Sequence, residues 1–72
     1  MSSVVAIGVE EQLAGYSLVG VHVLAVETAD AAIRVWNDLP DDVGLILMTP
    51  AVRLALGPLL LERPVLWVVL PS

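Results

Sequence analysis

Two adjacent carboxylates form the most suggestive pattern for chemistry in this sequence. Glu10 and Glu11 directly follow the apolar run 3–9, and Thr49 follows a later apolar run in a similar position. Hard cations such as Mg²⁺ prefer carboxylate oxygens, so these three residues are candidates for a weak Mg²⁺ or anion site. Two acids that open a helix are also ordinary, because they complement the helix dipole. We favour dipole complementation and keep the ion site as an alternative.

Other chemical patterns are incomplete. Gly8 and Gly15 lie too far apart for the glycine-rich turn that binds dinucleotides. Ser17 does not follow a strand in the G-x-S-x-G pattern of a nucleophile elbow. His22 is the only histidine, and there is no cysteine to join it as a nucleophile or metal ligand. We therefore expect no enzyme activity, no catalytic residue, no cofactor and no metal.

The candidate residues lie on predicted strands and helices, which the sequence indicates as apolar runs that alternate with helix-favouring segments. The short continuous run 3–9 is rich in β-branched residues, which is typical of a strand buried in a parallel sheet. Apolar runs at 21–27, 44–48 and 64–70 predict the second, third and fourth strands. The order β-α-β-α-β-α-β predicts a parallel sheet with helices on its faces. We expect one α/β domain over residues 1–72, a four-stranded three-layer sandwich with the flavodoxin- or receiver-like strand order 2-1-3-4.

Capping residues, glycines and prolines predict the helix ends. Thr28 and Thr49 are expected as N-caps, the latter with Pro50 at the first helical position. Gly20 is expected to end the first helix with a positive φ. Gly15 lies within the first helix, where either close packing on the sheet or a shortened helix would explain it.

The third helical segment combines an expected break with many leucines. Pro58 follows Gly57 and should break or kink the helix. The leucines do not share one narrow stripe, so either the break turns them all inward or part of the segment binds a partner. With Tyr16, these leucines are the candidate interface residues, namely Leu54, Leu56, Leu59, Leu60 and Leu61.

The composition indicates that this chain exposes apolar surface to another protein. The sequence is 58% hydrophobic over 72 residues, and a domain of this size has little interior in which to bury such side chains. The net charge is -5, with three scattered arginines and no lysine, which excludes the basic patch that nucleic acids require. Charges and prolines interrupt the apolar runs, so we expect no direct membrane insertion, and the N-terminus lacks the basic start of a signal peptide.

Several motifs together resemble one family, the F subunits of the V-type and archaeal A-type ATPases. Ile7-Gly8 resembles the end of that family's first strand, and Gly15 to Gly20 resembles its glycine–aromatic–x–leucine–x–glycine segment. The stretch from Asp41 to Val52 is similar to the family's third strand and threonine-capped helix. Arg63 to Ser72 resembles its arginine-proline lead into the fourth strand and the proline-serine that follows.

The resemblance implies a non-catalytic rotor component of the central stalk. Such a component binds the long coiled-coil D-type stalk protein and helps couple ATP hydrolysis or synthesis to ion transport, in the cytoplasm and peripheral to the membrane through the complex. The sequence departs from the family in two respects: it stops at Ser72, where the family usually continues into a C-terminal helix, and its third helix is rich in leucine rather than charge. A homo-oligomeric scaffold and a small signalling or ligand-binding domain are the alternatives.

Overall fold

Four strands alternate with three helical segments in the computed structural model, which describes residues 3–71 without the side chains of 17–19. The elements are β1 (Ser3–Gly8), α1 (Glu10–Leu13), a first 3-10 helix (Ala14–Val19), β2 (His22–Ala25), α2 (Ala29–Asp38), β3 (Val43–Met48), α3 (Pro50–Leu56), a second 3-10 helix (Gly57–Leu61) and β4 (Leu66–Val69). The predicted alternation is confirmed.

The strands form one parallel sheet in the order β2-β1-β3-β4, as predicted. Ile7 of β1 lies between Leu24 of β2 and Met48 of β3, and Met48 in turn pairs with Val69 of β4. Because crossovers between parallel strands are right-handed, α1 lies on one face of the sheet, and α2 and α3 lie on the other. α2 and α3 pack against each other, and α1 packs against β1 and β2.

The main hydrophobic core lies between the sheet and the pair α2–α3. Trp36 of α2 is one of its largest fully buried side chains. Most of the other members come from the strands and α3, and they include Val5, Ile7, Ile46, Met48, Val52 and Leu56. On the opposite face, Ala6 and Leu13 are buried outside this cluster. The two faces of the sheet are therefore unequally covered.

The two threonines that precede helices behave differently. Thr28 accepts a hydrogen bond through its Oγ1 from the backbone N–H of Ala31 at 3.1 Å, which confirms the predicted cap of α2. Thr49 occupies the N-cap position of α3, with Pro50 as the first helical residue, but its side chain makes no capping hydrogen bond. The predicted N-cap position of Thr49 and the position of Pro50 are confirmed, but the Thr49 side chain packs against Gly8 and does not supply a capping bond.

Glycines set the ends of the first and third helical segments. Gly20 has a φ of 84°, and Gly57 has a φ of 50° where α3 gives way to the second 3-10 helix. The predicted stop at Gly20 and the break at Gly57-Pro58 are both confirmed. A side chain at Gly15 would meet open space, so close packing does not explain this glycine. The α-helical part of this segment ends at Leu13, in agreement with the shortened-helix alternative.

Candidate functional site

The first candidate site is a cavity of about 250 Å³ at the carboxyl ends of β1, β2 and β3. It lies beside the starts of α2 and α3, which is where open parallel sheets usually bind ligands. Its walls are mostly small and apolar and include Val9, Val26, Ala29, Ala32, Ala51 and Ala55. Polar groups are contributed by Glu27, Thr28 and Thr49.

The polar groups of this cavity differ in their burial and in their hydrogen bonding. Thr49 is 3% exposed, and its Oγ1 has no hydrogen-bond partner among the described residues. The hydroxyl of Thr28 already accepts the capping bond of α2. Glu27 is exposed to solvent, so it behaves as a surface carboxylate. The cavity therefore combines apolar walls with one buried hydroxyl that has no partner in the described part of the chain.

The structure does not gather the three residues of the alternative ion site around this cavity. Glu10 and Glu11 lie exposed in the first turn of α1, as dipole complementation expects. The cavity lining includes Thr49 but neither of these acids. Within residues 3–71 as described, no group of three or more His, Asp or Glu side chains is placed to hold a metal ion.

The predicted interface leucines divide into two sets. Leu56 and Leu60 are buried in the main core, and Leu59 packs against it half-buried. These three leucines therefore help to hold α3 and the second 3-10 helix on the sheet, and Leu56 and Leu60 are not available to a partner. Leu54 and Leu61 are 76% and 86% exposed. The alternative in which the break turns leucines inward therefore holds for Leu56, Leu59 and Leu60. Leu54 and Leu61 are exposed, and partner binding by this segment stays a prediction.

Tyr16, the remaining predicted interface residue, lies in the first 3-10 helix. Its side chain is half-buried. It is therefore only partly accessible to a partner.

A second candidate site is an exposed apolar surface that sequence reasoning missed. Leu66 and Val68 of β4 are 73% and 49% exposed, whereas the intervening Trp67 packs against the core under α2 and α3. Because side chains alternate along a strand, Leu66 and Val68 project from the face that carries α1. Their partners on β3 are Leu45 and Leu47, both half-buried. We call Leu45, Leu47, Leu66 and Val68 the open strip.

The sequence does not reveal the open strip, because the apolar run 64–70 predicts a strand without showing which of its faces is covered. The predicted strand order carries a partial signal, because right-handed crossovers place one helical segment on this face and two on the other. α1 has only four residues before the 3-10 helix begins at Ala14, and it packs against β1 and β2. Because this helical segment lies over β1 and β2, it leaves the same face of β3 and β4 uncovered within the described residues.

The three arginines lie on one side of the sheet. The guanidinium carbon of Arg53 lies 5.9 Å from the ring centre of Trp67, and that of Arg63 lies 5.7 Å from the ring centre of Trp36. Both rings belong to the side of the sheet that α2 and α3 cover, and Arg34 lies on α2. The three arginines thus lie with α2 and α3, on the side that also carries Asp30 and Asp38 of α2. Glu10 and Glu11 begin α1 on the other face.

Together these features define a small Rossmann-like α/β domain with one well-covered and one partly open sheet face. In comparisons with known proteins, no protein-family model, no curated protein and no solved structure matches this chain. None of the helices within the described residues is long and apolar enough to cross a membrane.

Proposed function

We propose that this chain is a non-catalytic interaction component of the central stalk of a rotary ATPase, similar to the F subunits of the V-type and A-type enzymes. The observation that carries the proposal is the exposed apolar surface of the open strip on so small a domain. Large exposed apolar patches on small domains mark contacts with other proteins. A stalk component acts by binding, and an exposed apolar sheet face supplies a binding surface.

The residues that carry the family resemblance also support the proposal by their positions. Ile7-Gly8 ends β1, and the Thr49 that begins the third helical segment packs against Gly8. Gly20, the last residue of the glycine–aromatic segment, takes the positive φ that closes the first 3-10 helix. Motifs from separate parts of the sequence therefore have definite structural roles in one fold.

In this role the chain binds the coiled-coil D-type stalk protein and helps couple ATP hydrolysis or synthesis to ion transport. It lies in the cytoplasm, peripheral to the membrane through that complex. The proposed contact surface is the open strip. Leu54 and Leu61, the exposed members of the predicted interface set, lie outside it on the helix side of the molecule, and Tyr16 is a half-buried aromatic in the first 3-10 helix. Binding energy in such contacts comes mainly from a few buried apolar and aromatic side chains.

Co-elution with a D-type stalk protein tests the proposal. The purified chain and the stalk protein are run on size-exclusion chromatography with light scattering, separately and after mixing. We expect the mixture to elute as one complex of summed mass. Separate elution of the two proteins would count against the stalk function, and a multimer of the isolated chain would favour the scaffold alternative.

A second candidate function is the binding of a small ligand in the cavity, favoured by the Thr49 hydroxyl, which has no partner among the described residues. Titration with Mg²⁺ or inorganic phosphate, followed by tryptophan fluorescence, tests this alternative. A saturable change that is lost in Thr49→Val and retained in Leu54→Ala would support a ligand site. Loss of a Mg²⁺ response in Glu10→Gln would instead place the ion at the start of α1.

A further inference from the structure

We propose that the cavity at the carboxyl ends of β1, β2 and β3 binds a small neutral ring compound that carries one hydroxyl or N–H group. The inference is independent of the stalk function. It rests on the second candidate function, which is ligand binding in this cavity, and it names the class of ligand.

The size of the cavity fits a compact molecule. Its volume is about 250 Å³. An apolar cavity of about 150 Å³ holds one benzene molecule, whereas pockets for drug-sized ligands begin at about 300 Å³. The cavity therefore fits one ring with a substituent or two small fused rings, and it is too small to enclose a nucleotide or a larger cofactor.

The inner wall of the cavity is mostly apolar. Val26, Ala32 and Val52 are buried residues of this wall, and the half-buried Ala55 also lines the cavity. None of these side chains can form a hydrogen bond, so the apolar body of a ligand gains free energy by leaving water for this space. Apolar walls with few polar groups are usual for small-molecule sites.

Thr49 is the buried polar residue among the described residues that line the cavity. Its Oγ1 has no hydrogen-bond partner in the described part of the chain, and a hydroxyl both donates and accepts hydrogen bonds. Because Oγ1 itself is covered by protein, it reaches a ligand only when the Thr49 side chain turns about its Cα–Cβ bond. A ligand hydroxyl or N–H at this wall would then supply the missing partner.

The charges around the cavity favour a neutral ligand. Among the described residues that line it, Glu27 alone is charged, and it is exposed at the rim. An anion would face this carboxylate with no cationic side chain in the described lining. An ammonium group would pair with Glu27 only at the rim, where water weakens the attraction, and it would lose its hydration in the apolar interior. A neutral ring avoids both costs.

The test uses four one-ring compounds that differ in one substituent, namely benzyl alcohol, toluene, benzoate and benzylammonium. Each is titrated at neutral pH into the full chain labelled for NMR. We expect benzyl alcohol to bind saturably and to shift the signals of Val26, Ala32 and Val52. Benzoate should bind at least about tenfold more weakly, because its charge meets Glu27 and an apolar wall. Benzylammonium should also bind more weakly than benzyl alcohol.

Thr49→Val tests the polar contact separately from the shape of the cavity. Valine keeps the shape of threonine, so toluene should bind the variant and the parent chain equally. Benzyl alcohol should bind the variant about three- to tenfold more weakly, because one hydrogen bond is lost. The matched control is Leu54→Ala, a change at an exposed residue outside the cavity lining, which should leave all affinities unchanged.

Ala55→Leu tests the location of the ligand. The larger side chain would fill part of the cavity, so benzyl alcohol and toluene should both bind at least about tenfold more weakly. An unchanged amide spectrum away from the cavity shows that the variant is folded. Ala51→Leu, at an exposed lining position, serves as a second filling variant if Ala55→Leu does not fold.

Four results would overturn the inference. They are the absence of a saturable shift at the cavity with millimolar benzyl alcohol, binding of benzoate or benzylammonium as tight as that of benzyl alcohol, equal affinity of benzyl alcohol for Thr49→Val and the parent chain, and unchanged affinity in the filling variant.

The same titrations separate this inference from the second candidate function. If Mg²⁺ or phosphate binds in the cavity and benzyl alcohol does not, ligand binding stands and the neutral ring compound fails. If neither the ions nor the ring compounds bind, both fail. The stalk function is tested by co-elution and is unaffected by either result.

Discussion

The side chain of Thr49 occupies the space that a side chain at Gly8 would need. A Cβ on Gly8 would overlap Cγ2 of Thr49 and lie 3.0 Å from its Oγ1. The backbone N–H of Thr49 also donates to the carbonyl oxygen of Ile7 at 3.2 Å. The contact joins the carboxyl ends of β1 and β3, and it explains both the glycine after Ile7 and the missing cap of α3.

Gly8→Ala should therefore destabilise the fold. Gly8 is buried beside the Thr49 side chain, and forcing an extra methyl into a packed site costs about 1–3 kcal/mol. Urea denaturation followed by tryptophan fluorescence measures this loss in the free energy of unfolding.

The control for Gly8→Ala is the same change in a Thr49→Ala background, where both Cγ2 and Oγ1 are gone. In the Thr49→Ala background, Gly8→Ala should lower the free energy of unfolding by about 1 kcal/mol less than it does in the parent chain, because the two positions are coupled by direct contact. Equal costs in the two backgrounds would show that the overlap with Thr49 is not the cause.

Thr49→Val should preserve or raise stability. The substitution keeps the shape of the side chain and replaces a buried hydroxyl that has no partner among the described residues. An unsatisfied buried polar group costs about 1–3 kcal/mol, so a gain of about 1 kcal/mol is expected in the same denaturation assay. A loss of more than about 1 kcal/mol would show that the hydroxyl has a partner in solution, which would favour the ligand-binding alternative.

Leu56→Ala and Leu54→Ala should differ sharply although the residues are two positions apart. Leu56 is 1% exposed in the core, whereas Leu54 is 76% exposed. Removing a buried leucine side chain costs about 2–5 kcal/mol, and an exposed substitution stays within about 0.5 kcal/mol. Thermal and urea unfolding of both variants measure the difference. Comparable losses would contradict the placement of this segment.

The sequence predicts the sheet better than it predicts the surfaces. Apolar runs separated by capping residues indicate the alternation of strands and helices and the ends at Gly20 and Gly57, because these signals act through local backbone geometry. The strand order 2-1-3-4 follows instead from the likeness of this alternation to flavodoxin-like folds. The division of the leucines could not be predicted, since it depends on how Gly57 redirects the chain. After α3 ends at Leu56, the second 3-10 helix turns Leu60 into the core and leaves Leu61 exposed.

The exposed surface of β4 could not be predicted for a different reason. A continuous apolar strand looks the same in sequence whether both of its faces are covered or only one. Coverage depends on the length and position of the helices on each face, which are properties of the whole fold. α1 packs against β1 and β2, so Leu66 and Val68 stay exposed, although their own sequence is typical of a buried strand. The composition indicates that some apolar surface is exposed, but only the structure shows where that surface lies.

Binding of a D-type stalk protein to the parent chain, Leu66→Glu and Leu54→Glu, measured by isothermal titration calorimetry, tests the central claim most directly. The account predicts tight binding by the parent chain and by Leu54→Glu, and at least about tenfold weaker binding by Leu66→Glu. Equal affinities of the parent chain and Leu66→Glu, with binding lost in Leu54→Glu, would contradict it.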